Sequence, residues 1–410
     1  MATIHSKMKA AMDNGVIDGS SRRGASGAPL LVLTELFLPT KGGTAVWFDE
    51  VYRRLGGKEI HVVTADVPGA AEYDRGHPNS VHRVRLERHW WLRPESLAMY
   101  VKLLVRSLLL LWRYRLKAVH AGRVLPEGLV GLAAARLARV PLLIYAHGEE
   151  ITGWRKPSKF RAKVYAFRRA DRIIANSDFS RTELVKLGVH PERITLIHPG
   201  VDVARFRPGL PCDDLRRSLG LPPERRMILS VGRLSRRKGF DQAIRALARL
   251  QEKGLDVAYA VIGIGPDRDY LEGVARECGM QSRVHFLGEV AMEDLPRWYC
   301  AADLFAMPNR RIGGDTEGFG MVFLEAAACG RAVVAGKEGG TADAVLDGVT
   351  GFRVDGALVE EITSAFCGLL TDPALARSMG ARGHARVRSE FSWESVAHKT
   401  RALRLTSEKC

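Results

Sequence analysis

Short apolar runs alternate with helical segments along the chain, and the alternation stops once near the middle and then restarts. Leu30–Glu35, Ile60–Ala65, Ala118–Gly122, Pro141–Ala146, Asp171–Ala175 and Arg193–Ile197 read as strands, with helices at Leu97–Leu116, Leu125–Ala138, Lys159–Ala170 and Phe179–Leu187 between the later ones. Such alternation predicts a parallel sheet covered on both faces, because parallel strands can be joined only by a crossover, usually a helix. Ile197-His198-Pro199-Gly200-Val201-Asp202, with Phe206-Arg207-Pro208 beyond it, is dense in proline and glycine and reads as a linker. Strands at Met227–Val231, Val261-Ile262, Val284–Leu287 and Ala302–Met307 then resume the pattern. At 410 residues the chain is long enough for two such domains, over 29–200 and 201–390, with a polar tail at 1–28 that reads as disordered and a terminal segment at 391–410.

In an open parallel sheet, ligands are met at the carboxyl ends of strands, where the next helix points unpaired amides at an anion. Ala302–Met307 leads through a glycine-rich loop into the helical stretch Met321–Cys329, and Gly318 and Gly320 would let that loop approach a phosphate, since a Cβ would obstruct it. Glu317 and Glu325 flank the turn. A carboxylate repels a phosphate, so the two are suited to accept hydrogen bonds from hydroxyls, one on a sugar beside the phosphate and one on a ribose beyond it. The alternative makes Glu317 a charge that suits a helix start and Glu325 a solvated helix residue. Met227–Val231 runs into Gly232–Gly239, where four cations, Arg233, Arg236, Arg237 and Lys238, crowd into six residues. Their self-repulsion is costly unless an anion sits among them, although a solvated loop is the common fate of a charge run. Both loops follow strands of one predicted sheet, and a diphosphate between them would satisfy both. His147 directly follows the strand Pro141–Ala146, placed either to meet a ligand or to cap the next helix.

Glu317-Gly318-Phe319-Gly320 through Glu325, followed by Ala328-Cys329-Gly330-Arg331-Ala332-Val333-Val334, resembles the Glu-x7-Glu element of retaining GT-B glycosyltransferases, in particular the nucleotide-sugar-dependent family 4, of the bacterial lipid or exopolysaccharide type. Gly232-Arg233 with Lys238-Gly239, His147-Gly148-Glu149-Glu150, the Pro199–Asp202 junction, Gly339–Val345 and Gly348–Phe352 are similar to further family elements in the same order, so the likeness runs from about Leu30 to about Leu405. The resemblance implies an α/β GT-B fold: two Rossmann-like domains facing across a cleft, with the last helix crossing back to the N-terminal domain. It implies that Arg233 and Lys238 neutralise a leaving diphosphate, that Glu325 holds the ribose, and that Glu317 and His147 orient the sugar. Gly263, Gly288, Gly318, Phe319, Gly320, Met321 and Val322 would line the donor, and Gly42, Gly43 and Glu149 the acceptor side. The expected reaction moves a hexose, with a lean to mannose or glucose, from a UDP- or GDP-sugar to a lipid or lipid-linked glycan with retention of configuration. No metal or other cofactor is expected, since fixed cations stand in for it. One departure is the long insertion between Pro308 and Glu317, containing Arg310, Arg311, Gly313 and Gly314. It is similar to an expansion in mannosyltransferases acting on phosphoinositide lipids.

The net charge of +16 is unevenly spread: residues 1–200 hold 32 Lys and Arg against 18 Asp and Glu, and residues 201–410 hold 30 against 28. Two segments account for the excess, 82–117 with nine cations against two Glu and 153–172 with eight against one Asp. Such concentration suggests a surface facing an anionic partner. Leu97–Leu116 is about as long as a bilayer span, but each central cation costs on the order of 2.5 to 3.5 kcal/mol to insert, which disfavours spanning. Lys102, Arg106, Arg113 and Lys117 form a stripe roughly 60° wide on a helical wheel. The helix therefore reads as lying at a membrane interface, with Trp90 and Trp91 nearby, or as domain core with its cations at the rim. The expected place is the cytoplasm, at the anionic inner face of the cell membrane. Nucleic acid is not an expected partner, because aromatic platforms among the cations are few. The six cysteines form no Cys-x-x-Cys pair, which argues against a zinc site and for a reducing compartment. Competing readings are a nucleotide-sugar 2-epimerase of the same fold, which needs no acceptor, a phosphorylase, which would be expected to carry a pyridoxal lysine in a different motif, and a non-catalytic basic membrane-binding protein.

Overall fold

The computed structural model describes residues 28–86, 97–153 and 156–403. The N-terminal tail, Trp90, Trp91 and the end of the terminal segment lie outside those residues. The first half carries β1 (Leu30–Leu33), β2 (Ile60–Ala65), β3 (Ser80–Val84), β4 (Val119–Ala121), β5 (Leu142–Ala146), β6 (Arg172–Ala175) and β7 (Ile194–Leu196), in the spatial order β3-β2-β1-β4-β5-β6-β7. The second half carries β8 (Arg226–Val231), β9 (Val257–Ile262), β10 (Val284–Gly288), β11 (Leu304–Met307), β12 (Ala332–Gly336) and β13 (Gly351–Val354), in the order β10-β9-β8-β11-β12-β13. Every pairing in both sheets is parallel. Central strands such as β5, Leu-Leu-Ile-Tyr-Ala, are buried at every position, as a sheet covered on both faces requires. In each sheet the winding reverses beside the first strand, between β1 and β4 and between β8 and β11, and the loops that diverge there open a crevice.

Three details differ from the sequence reading. β3 lies inside what reads as the start of a basic surface segment; its Ser-Val-His-Arg-Val is half-buried throughout, the mixed character of an edge strand. The long helix is Leu97–Arg113 and stops short of Leu116, because Arg115 turns into the left-handed region at φ 51°. Lys117 thereby leaves the basic stripe, and its amide donates to Pro29 O at 2.7 Å. Pro126, which has no N–H to continue a helix, gives Val124–Gly128 a wide turn of its own ahead of the helix Leu129–Ala138.

Helices Leu97–Arg113, Leu129–Ala138 and Pro157–Arg169 pack in series on one face of the first sheet. Their outward surface is unusually apolar, exposing Leu97, Val101, Val105, Leu109 and Trp112 from the first, Leu137 from the second, and Phe160 and Tyr165 from the third. On the first helix the exposed apolar sector adjoins Lys102, Arg106 and Arg113, while Met99, Leu103, Leu110 and Leu111 face the core. Among the described residues no helix is long and apolar enough to cross a membrane.

The chain passes between the halves twice, side by side. Val201 N donates to Phe391 O at 2.8 Å and Val201 bridges Ser392, while a Cβ on Gly200 would lie 2.8 Å from the Trp393 ring and 2.9 Å from Phe391 O. Ser392 caps the helix Trp393–Ala402, which packs on Gly43–Leu55, so that Trp393, Val396 and Ala397 share a core with Phe37, Trp47, Val51 and Tyr52. Arg54 Nε donates to Glu394 at 2.9 Å on the rim of that contact. Trp393 is 2% exposed, so Trp393→Ala is expected to destabilise the protein by about 3 to 5 kcal/mol, read from denaturant unfolding.

Candidate active site

Loops from both crevices line one cleft of about 1090 Å³ between the halves. On the second half, the turn Arg236–Lys238 ends at Gly239, with φ 76°, where a Cβ would lie 2.0 Å from Pro308 O. Only glycine therefore lets the loop after β8 touch the loop after β11. That contact brings Lys238 Nζ to 2.5 Å and Arg237 Nη1 to 3.0 Å from the same oxygen, Glu317 Oε2. Arg237 also reaches Asp315 Oδ2 at 3.0 Å and, across the cleft, Glu149 Oε2 at 3.9 Å. Burial alone would raise the Glu317 carboxyl, but Lys238 and Arg237 more than offset it and hold the group at about 2. Glu317 is accordingly a carboxylate at neutral pH, and its two cations are poised for a competing anion. Arg233 stands apart: it lines the cleft, is exposed, and makes no ion pair among the described residues.

Gly320, at φ 90°, turns the chain into the helix Met321–Ala328, whose first amides open on the same space. Glu325 lies in the second turn and accepts from Tyr299 OH at 2.6 Å; burial pushes its carboxyl up, against that hydroxyl and the charge of Arg205. Met321 and Val322 line the cleft, with Met321 Sδ 2.9 Å from where a Cβ on Gly43 would sit, beside Gly42 in the opposite wall. Phe319 is 2% exposed and packs on His198 and Phe391 at the interdomain crossing. Gly263 is confined by Gly232 O, which a Cβ would approach to 2.0 Å. Gly288 does not line the cleft: its carbonyl accepts from Gly263 N at 2.7 Å, and its left-handed φ of 66° turns Glu289 and Val290 to the wall in its place.

His147 stands in the wall of the first half. Its Nε2 donates to Gly122 O at 2.8 Å, which leaves Nδ1 as the acceptor, and burial lowers its pKa, so the ring is neutral at neutral pH. The two walls touch backbone to backbone. A Cβ on Gly318 would lie 1.8 Å from His147 O and one on Gly148 2.8 Å from Gly318 Cα. Asp178 N donates to Asp343 Oδ2 at 2.7 Å beside this seam, and Lys41 Nζ meets Glu289 Oε2 at 2.5 Å across the mouth. The cleft is thus closed on an anion cradle with a neutral imidazole opposite.

Residues 41–205 match the model of Glycosyltransferase Family 4 and residues 212–386 that of Glycosyl transferases group 1. The GDP-mannose-dependent alpha-(1-6)-phosphatidylinositol monomannoside mannosyltransferase of Mycolicibacterium smegmatis is 34% identical over 387 residues, covering 92% of this chain and 97% of that one. The chain belongs to glycosyltransferase family 4. A monoacylated phosphatidylinositol monomannoside mannosyltransferase of Corynebacterium glutamicum is 31% identical over 90% of this glycosyltransferase and 96% of its own length. Anabaena HepE with bound UDP superposes with a TM-score of 0.77 at 24% identity, covering 90% and 98% of the two chains. Sucrose-phosphate synthase from Thermosynechococcus elongatus does so at 0.77 and 23%, covering 91% and 98%. The fold of this glycosyltransferase is GT-B.

The structure brings His147, Glu317, Lys238, Arg233, Glu325, Gly42, Gly43 and Glu149 to one cleft, with the loop Gly318–Val322 at its centre. Sequence reasoning missed Arg237 as the second cation on Glu317, Asp315 and Tyr299 as partners of the charged groups, and Asn176, whose Nδ2 donates to His147 O at 2.9 Å. Arg237 left a signal as one of the four crowded cations, and Asn176 as a polar residue directly after the strand Asp171–Ala175; Asp315 and Tyr299 left none.

Proposed function

We propose that this glycosyltransferase moves mannose from GDP-mannose, with retention, to a phosphoinositide-type lipid or lipid-linked glycan at the anionic inner face of the cell membrane. The observation that carries the chemistry is the convergence of Lys238, Arg237 and the helix start at Gly320 on one spot beside Glu317. A donor diphosphate entering there takes over the two cations and the helix amides, with Arg233 as a further cation at its side. These fixed charges stabilise the charge that develops as the bond from the sugar C1 to the phosphate oxygen breaks, the largest contribution expected in such a displacement. Glu317, released from Lys238 and Arg237, accepts from a sugar hydroxyl, Glu325 from the ribose, and His147 meets the sugar from the opposite wall. The acceptor oxygen bonds to C1 on the face the phosphate leaves, and its proton passes to the departing phosphate, giving the nucleoside diphosphate. The fixed cations do the work a metal would otherwise do.

The donor and acceptor classes are supported by the relatives named above. The membrane reading is supported by the exposed apolar sector from Leu97 to Trp112, the neighbouring Phe160 and Tyr165, and the cations beside them. The test is incubation with a panel of UDP- and GDP-sugars and membrane lipid extract, following label into the lipid phase. GDP-mannose is expected to label lipid. Release of free nucleotide without any acceptor would indicate an epimerase instead, and equal product from Glu317→Gln and Arg233→Ala variants would discard the mechanism. For the membrane face, a Val105→Glu, Trp112→Glu double variant is expected to lose about tenfold or more of its cosedimentation with anionic vesicles, since it removes two apolar anchors and adds repulsive charge.

A further inference from the structure

The segment from His147 to Gly153 leaves the sheet after β5 and has little local structure to hold it, only the five-residue helix Glu149–Gly153. Two side chains from beneath supply what is missing. Glu150 is turned inward, 4% exposed, and its Oε1 accepts from the main-chain N of His147 at 2.8 Å. Lys163 lies in the helix Pro157–Arg169, is 1% exposed, and donates through Nζ to Glu150 O at 3.1 Å and Ile151 O at 2.5 Å. The face of the Phe160 ring lies 5.0 Å from the same ammonium. A buried ammonium is costly unless its protons find acceptors, and carbonyls near the end of a short helix have no partners of their own to give up. An apolar residue would fill the space without that cost, so the fold keeps a cation here for the bonds it makes.

We propose that Lys163 and Glu150 are positioning residues for His147. Lys163 fixes the carbonyls of the short helix, Glu150 is fixed with them, and its carboxylate sets the main chain of His147 and with it the ring bonded to Gly122. Because Lys163 belongs to the helix that exposes Phe160 and Tyr165, whatever engages that outer face is two residues removed from the imidazole. That His147 acts on the sugar rests on the function proposed above; the positioning itself does not.

The test uses the full-length protein and three variants, Lys163→Met, Glu150→Ala and Glu150→Gln. Amide exchange over 148–152 is expected to rise about tenfold or more in Lys163→Met and Glu150→Ala, while exchange in the second half stays unchanged. With the turnover assay, kcat falls in both while KM for the donor holds within about twofold, since the donor cradle lies on the opposite wall. Glu150→Gln keeps an acceptor for His147 N, so exchange returns to wild type, yet the imidazole, followed by NMR of labelled histidine, titrates at lower pH because a neighbouring negative charge is gone. Unchanged exchange and an unchanged His147 resonance in both Lys163→Met and Glu150→Ala would overturn the proposal. Exchange and titration need no turnover, so they decide the positioning role even if no nucleotide sugar is consumed.

Discussion

Gly318→Ala is expected to lower kcat about 10²-fold or more while both halves stay folded. The added methyl would stand 1.8 Å from the carbonyl oxygen of His147 and 3.1 Å from Asn176 Nδ2, both in the opposite half. Neither neighbour can yield: the carbonyl already accepts from Asn176, and the His147 main chain is tied to Glu150. The cheapest relief is for the halves to part. Parting by an ångström or more separates His147 from the donor cradle, and misplacement on that scale is enough for a loss of about 10²-fold or more in kcat. Small-angle scattering should show a larger radius of gyration than wild type, and nucleotide binding to the second half should persist. Wild-type turnover in a fully folded Gly318→Ala protein would show that the closed seam is not the reactive arrangement.

The second large effect is expected at Lys238. Lys238→Ala removes the cation nearest Glu317, and with it one of the fixed charges proposed to face the departing diphosphate; a fall in kcat/KM of about 10² to 10³-fold follows from the usual worth of such a group. Arg237→Ala should lower kcat/KM as well, and the double variant should lose less than the product of the two, because both side chains act on one oxygen. The pH profile carries the sign. Lys238 and Arg237 together hold the Glu317 carboxyl at about 2, below its ordinary 4.5. Without Lys238 the group shifts upward, so the acid limb of the residual activity moves to higher pH; an unshifted limb would mean that the essential carboxylate lies elsewhere.

Much of this arrangement can be read from the residues because each part is local. Strand, glycine turn and helix are set by spacing within about a dozen positions, so most strands of both sheets and the loops at Gly232, Gly263 and Gly318 are legible, though Ala332–Gly336 and Gly351–Val354 are not delimited. β3 is not, since an edge strand of Ser, His and Arg carries no apolar run. The end of the helix at Arg113 is hidden for another reason: it depends on a left-handed Arg115, a residue type with no preference for that conformation. Within the cleft, sequence pairs Lys238 with Arg233, the two that a linear motif marks, whereas folding gives Lys238 and Arg237 to Glu317 and leaves Arg233 open. Which of four neighbouring cations faces inward depends on how a turn packs under Pro308, and nothing in the turn itself encodes it. The meeting of Gly318 with His147 is further still from the residues, being a property of how two separately built halves are set against each other.

The helix Trp393–Ala402 belongs to the core of the first half although it is made after the whole of the second. During translation the second half can emerge and fold while Trp47, Val51 and Tyr52 still lack their final cover. A nascent chain of this kind carries a sticky, unfinished surface until Trp393–Ala402 has left the ribosome, and a message cut short before Trp393 would yield a folded second half joined to a first half prone to aggregate.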